Sequence, residues 1–234
     1  MDKNITEKPV LEKALTELTS VSKKRNFDEA IEMIVTLKNI NVKNKDQRVE
    51  YTISVPHPYL DQVKSLVFVK DKNLAQELKG VVDKVIMDDE ISKISKKDAK
   101  IMAEEYRVFL AEGPVMLTVG KHLGQVLSPR GKMPLIAPPN INAIKTLITA
   151  SISQQKISNK KNKSSVALQI KIGKKSQSVS DLADNSLVVI KSLIDKLPNG
   201  FQNLNHIYLK TTMSKPIKVG DDKWDTLNLG DILN

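Results

Sequence analysis

"SLVFVKDKNLAQELKGVVDKVIM", residues 65–87, decides how the middle of this chain is folded. It opens on a continuous apolar run, passes through helical spacing from Leu74 to Leu78, and returns to a second apolar run in "VVDKVIM". A run that does not alternate is a strand covered on both faces, which is the habit of parallel sheets. A third run, "YRVFLAE" (106–112), follows the helical stretch "DDEISKISKKDAKIMAEE" (88–105). Buried runs separated by helices predict a doubly wound α/β unit. Beyond "GPVMLTVGKHLGQVL" (113–127) and a basic Pro/Gly loop, a helix is predicted from Asn140. Its stripe is Ile141, Ile144, Ile148 and Ile152, with Asn140 as cap.

The two ends of the chain follow a different pattern. Leu11, Ala14, Leu15, Leu18 and Val21 predict an amphipathic helix from about Val10 to Val21, entered at Pro9. Ile31, Met33, Val35 and Leu37 then alternate with Glu32, Ile34 and Thr36, the mark of a strand. Val49, Tyr51, Ile53 and Val55 repeat the pattern up to Pro56. Past a lysine cluster, Val166, Leu168, Ile170 and Ile172 face one way, and Ala167, Gln169 and Lys171 the other. A helix with Ala183, Leu187, Ile190, Ile194 and Leu197 on one face follows, with Ser178 and Asp181 at capping-box spacing and "PNG" as its stop. "HIYLKTTM" (206–213) alternates again, and "PIKV" is placed to pair beside it. The ends therefore read as one α+β unit of four alternating strands and two helices, and the middle as a unit inserted into it. The joints are expected at 61–65 and 154–159, with a single mixed sheet as the alternative. The acidic tail from Gly220 is expected to be loosely docked or poorly ordered.

The charge is uneven. The chain of 234 residues carries a net charge of +10, yet from Gly113 to Ser180 there is no Asp or Glu. That window holds eleven Lys and Arg, so the remainder is close to neutral at −1. A one-signed block of this kind is an electrostatic footprint for a polyanion. With no cysteine, disulfides and thiolate metal sites are excluded. The N-terminal sequence lacks a signal-peptide core, and no stretch approaches a membrane span; a cytoplasmic protein without membrane partners is expected.

Enzyme chemistry finds little to work with. His57, His122 and His206 lie in separate segments without metal-ligand spacing. No GxGxxG follows any of the three apolar runs. In "GQVLSPRGKMP" (124–134) the residue after Lys132 is Met133, and no glycine lies five positions before Gly131, so the phosphate-loop motif fails. No enzyme, cofactor or metal is expected. Aromatic residues are few and scattered, which argues against base stacking along a single strand and favours structured RNA held through phosphate, ribose and shape. Three strand-end segments are candidates. "KKRNF" (23–27) sets Phe27 beside three cations, among them Arg25. "NKKNKSS" (159–165) brings Lys163 to a strand that carries Lys171. "KTTMSKP" (210–216) presents Lys210, Thr211, Thr212, Met213, Ser214 and Lys215.

"RNFDEAIEMIVTLKNI" (25–40), "SVPH" (54–57), "SPRGKMP" (128–134) and "KTTMSKP", in this order, resemble the ribosomal protein L1 family. The "TTMxKP" form resembles its archaeal and eukaryotic branch more than its bacterial one. The resemblance runs from about Val10 to Val219. It implies an α+β fold in a split two-domain architecture: an α+β sandwich from both chain ends (1–63 and 157–219), an inserted Rossmann-like α/β domain with a parallel sheet (64–156), and a tail (220–234). It also implies a constituent of the large ribosomal subunit that binds structured large-subunit rRNA. That rRNA forms the mobile stalk near the tRNA exit site, where the protein assists release of deacylated tRNA. Translational repression through its own mRNA and a monomeric state off the ribosome are further expectations. Matched to the motifs, the RNA contacts are Asn26, Phe27, Glu32, Thr212 and Met213. Arg130 and Lys132 are expected to support an auxiliary RNA contact or a hinge. Ala30 stands where bacterial members have threonine, and Ser128 and Ser214 replace glycines. Serine at position 214 is at odds with any need for positive φ there. The competing class is a non-ribosomal protein binding DNA, RNA or a membrane surface through its lysine block.

Overall fold

The computed structural model describes residues 7–41, 49–60, 62–159 and 166–220. These form an α+β structure in two compact units, one made of Met1–Tyr59 with Ser153–Asn234 and the other of Leu60–Ile152. Among the described residues, no helix is long and apolar enough to cross a membrane.

In the inserted unit, strands β3 (Ser65–Val69), β4 (Lys84–Met87), β5 (Val108–Ala111) and β6 (Leu135–Ile136) form a parallel sheet in the order β4-β3-β5-β6. The parity of each apolar run divides its side chains between two cores. Leu66, Phe68, Phe109 and Ala111 pack with residues of α3 (Asp88–Ile91), α4 (Lys96–Glu105) and α5 (Val115–Leu127). Val67, Val69, Val108 and Leu110 pack with α2 (Lys72–Glu77) and with Ile144 of α6 (Ile141–Ser153). Two expectations change here. The stretch 88–105 is two helices, because the Ser95 hydroxyl accepts from the Asp98 amide at 3.2 Å and starts α4 afresh. "VVDKVIM" is a strand only from Lys84 on.

In the unit formed by the chain ends, α1 (Lys8–Val21) and α7 (Val179–Lys196) share one apolar core with β1 (Ala30–Leu37), β8 (Ala167–Lys174) and β9 (Leu204–Thr211). These strands and β10 (Ile217–Lys218) form an antiparallel sheet ordered β10-β9-β1-β8. The strand predicted at 49–55, β2 (Glu50–Ser54), does not join it. It pairs antiparallel with β7 (Gln154–Ser158), a segment expected to be a joint. "QQKIS" hides its strand character, since only Ile157 is apolar and fully buried. Val21 also departs from expectation, being 76% exposed at the end of α1. The centre of the buried face of α7 is Leu182, Ala183, Ser186, Val189, Ile190 and Leu193, so Leu187 and Ile194 lie at its margin.

"SVPH" proves to be an anchor. The fully buried Asn185 side chain of α7 accepts from the His57 amide at 3.0 Å. It also donates to the carbonyls of His57 at 2.7 Å and Ile172 at 2.9 Å. Nearby, Lys8 Nζ lies 2.7 Å from Asp184 Oδ1, and the His57 ring sits 3.5 Å from Asp181 and 3.7 Å from Asp184. The hydrogen bond from Lys8, opposed by a smaller effect of burial, lowers the Asp184 pKa; the same bond raises that of Lys8. A depressed carboxylate contributes stability above its unfolded pKa of ~3.9, and the contribution disappears as pH falls through the folded value. The raised lysine keeps its part below ~10.4 and loses it only as pH rises past the folded value. Asp184→Asn is therefore expected to flatten the acid limb of stability. Urea midpoints of variant and wild type should converge as pH drops below about 4 and separate slightly at neutral pH, the pair being solvent-exposed.

Candidate nucleic-acid interface

Pairing of β1 with β9 brings the two most distant candidate segments together, with Ile31 opposite Thr211 and Glu32 opposite Lys210. At this junction lies a residue that the sequence reading passed over. Glu29 is 2% exposed, and its Oε1 accepts from the Thr211 hydroxyl at 3.0 Å and the Met213 amide at 3.1 Å. Carrying the alternation of Ile31, Met33 and Val35 back by one step places a carboxylate in phase with the core-facing side. That mismatch was the available signal.

Glu29 holds a turn with further supports. The Thr211 amide donates to Ser214 Oγ at 2.8 Å, and the Ser214 amide donates to Thr211 Oγ1 at 3.2 Å. Thr212 exchanges bonds with Ala30. Its amide donates to the Ala30 carbonyl at 3.0 Å, and its hydroxyl accepts from the Ala30 amide at 3.1 Å. Ser214 is not among the residues with positive φ, so this turn does not require glycine, and its hydroxyl closes the turn instead. The same holds at Ser128, whose φ of −61° is helical; the positive φ of that loop falls on Gly131 at 67°.

The turn leaves Met213 61% exposed, with Thr212 and Lys215 also on the surface. In the segment leading into β1, Arg25 and Asn26 are exposed and Phe27 is 54% exposed, and Arg25 lines one cleft with Met213. Glu32 is half-buried on the sheet face opposite the helices, with Lys171 of β8 and Lys210 of β9 as its cross-strand neighbours. These two lysines do not stand free. Lys210 is 7% exposed and its Nζ donates to the Thr212 carbonyl at 3.1 Å, while Lys171 Nζ lies 4.2 Å from the centre of the Tyr59 ring. Thr211 is wholly buried. Lys210 and Thr211 thus build the turn from within, and the exposed cations around it include Lys23, Arg25 and Lys215. Lys163 lies outside the described residues, as does the tail from residue 221.

Arg130 and Lys132 belong to the inserted unit, and there they tie down α4. Lys132 Nζ donates to the carbonyls of Ala103 and Tyr106, the latter at 2.8 Å. Burial first, then the charges of Arg107 and Arg130, lower its pKa below that of an ordinary lysine. Arg130 donates to the Val126 carbonyl at 3.4 Å and lies 3.9 Å from Glu104. Both residues serve to staple the helix ends of their own unit.

A sequence profile of the Ribosomal protein L1p/L10e family matches residues 18–215. The chain is 38% identical over 199 residues to large ribosomal subunit protein uL1 of Methanocella arvoryzae, covering 84% of this chain and 91% of that one. It is 36% identical over 213 residues to the protein of that name in Thermofilum pendens, covering 89% and 92%. With that of Methanosarcina barkeri the identity is 34% over 218 residues, covering 92% and 100%.

Proposed function

Because the chain belongs to the archaeal branch of the ribosomal protein L1 family, we propose that it is a component of the large ribosomal subunit whose end-formed unit grips structured rRNA. The family is one of structural RNA-binding proteins rather than enzymes. The observation that carries this reading is the turn at 211–214. A buried carboxylate fixes it, and it presents Thr212 and Met213 on the surface, with Arg25 lining the same cleft as Met213. Such a rigid surface suits RNA recognised by shape and ribose contacts, since little order has to be imposed on binding. Glu32 is placed to accept a ribose hydroxyl, flanked by lysines whose charge offsets its repulsion of phosphate.

In this proposal the end-formed unit is an α+β sandwich acting as the anchor, and the inserted unit, Rossmann-like in its winding, meets a moving partner, the tRNA leaving the exit site. A similar RNA fold in its own message would give translational repression. The deciding test is binding to a folded rRNA stalk fragment and to an unrelated hairpin across a salt series. Each released phosphate contact adds ~0.7–0.9 to the log–log slope for either RNA. The stalk fragment should keep its advantage at high salt, and Met213→Ala should cut that advantage at least about tenfold by removing shape-specific contact. If the two RNAs bind alike and weaken together, the lysine block is only a polyanion patch and the reading fails.

A further inference from the structure

A cleft of about 600 Å³ lies in the end-formed unit, between the C-terminal turn of α1, the segment after it, and residues 211–217. This is within the size range of sites that enclose a small molecule, ~300–1,000 Å³. Its apolar wall is Leu18, Val21, Met213, Pro216 and Ile217, and among its lining residues none is aromatic. The cations that line it, Lys23, Arg25 and Lys215, are all exposed, so they face the mouth. Glu17 also lines it. The walls are held firmly. Lys175 Nζ donates to Ser22 Oγ at 2.5 Å, and its amide donates to the Glu29 carbonyl at 2.8 Å, tying the end of α1 to the strand that positions the turn.

We propose that this cleft receives one unpaired nucleotide of the bound RNA, its base extruded from the stack. The inference rests on the RNA-binding reading above. Two features define the occupant. The apolar floor matches the faces of a base. The cations at the mouth match its phosphates. Met213 belongs both to the exposed turn and to the cleft wall, so an RNA seated on the turn delivers an adjacent nucleotide to the opening. Stacking on an aromatic ring is the usual support for an extruded base; here aliphatic side chains take its place.

The test uses the full chain and stalk fragments in which each unpaired nucleotide is replaced in turn by 2-aminopurine, whose emission is quenched by stacking on neighbouring bases. One position is expected to brighten several-fold on binding, because the cleft lining has no ring to quench it. Val21→Trp fills the opening from a residue that is 76% exposed, so folding should be untouched, as an unchanged melting temperature would verify. It should abolish the brightening and weaken binding about tenfold. The cleft inference is overturned if the stalk fragment outcompetes the hairpin yet no position brightens, or if Val21→Trp binds like wild type. A stalk fragment with no advantage over the hairpin would instead sink the RNA-binding reading, and this inference with it.

Discussion

Glu29→Leu is expected to lower the unfolding free energy by about 2–4 kcal/mol and to remove the preference for structured RNA. The carboxylate is buried and accepts from the Thr211 hydroxyl and the Met213 amide. Replacing a buried charge by an apolar side chain is often harmless when its partners go with it. Here they remain. Two donors at the base of the turn are left without an acceptor, and each costs ~1–3 kcal/mol. That cost exceeds what leucine regains by relieving the carboxylate of its desolvation. Glu29→Gln keeps an acceptor oxygen and should recover most of the loss. Urea unfolding would give the stability, and competition between stalk fragment and hairpin the selectivity. A leucine variant as stable and as selective as wild type would show that the turn holds itself without Glu29.

Asn185→Leu should cost more in stability, about 3–5 kcal/mol, because three buried or part-buried backbone groups lose a hydrogen bond at once, the His57 carbonyl keeping only the 3.4 Å bond from Gln177 Nε2. These are the His57 amide, the His57 carbonyl and the Ile172 carbonyl. Asn185→Asp should retain the bond from the His57 amide but set a carboxylate against the two carbonyls. It should therefore be more damaging at neutral pH than at pH values where the new group takes up a proton. Thermal or urea unfolding of both variants at two pH values decides the matter. A loss below about 1 kcal/mol for leucine would mean that the segment around "SVPH" is held by its apolar neighbours instead.

The inserted unit was legible in the sequence because its two central strands, β3 and β5, are covered on both sides. "SLVFV" and "VFLA" leave no polar phase to misread, and every residue of both strands is buried. The end-formed unit was harder to read. Its main strands announced themselves by alternation, but β7 did not, since a short strand outside the main sheet needs only Ile157 facing the core. In the candidate interface, charge picked out the lysines and geometry shows where their amines lie. The lysines at 171, 210 and 132 belong to the cationic pattern by composition, yet their amines are turned onto a tyrosine ring and backbone carbonyls. Composition cannot say which end of a long side chain meets water. Glu29 escaped for the opposite reason: a lone carboxylate beside a strand reads as surface unless its phase with Ile31 and Met33 is followed.

Ser214 shows how a departure from a family pattern can be absorbed. The turn has a negative φ there, and the serine hydroxyl accepts from the Thr211 amide. At Ala30, the bond between the Ala30 amide and the Thr212 hydroxyl passes through the main chain and does not depend on the side chain at position 30.

If the 211–214 turn and residues 25–32 form the surface that recognises structured RNA, amide hydrogen exchange of the full chain will show it, with and without the stalk fragment at a salt concentration that suppresses hairpin binding. New protection is expected in peptides spanning 23–32 and 210–217, with little change across 121–145. Protection confined to 121–145, with the turn unaffected, would contradict that assignment.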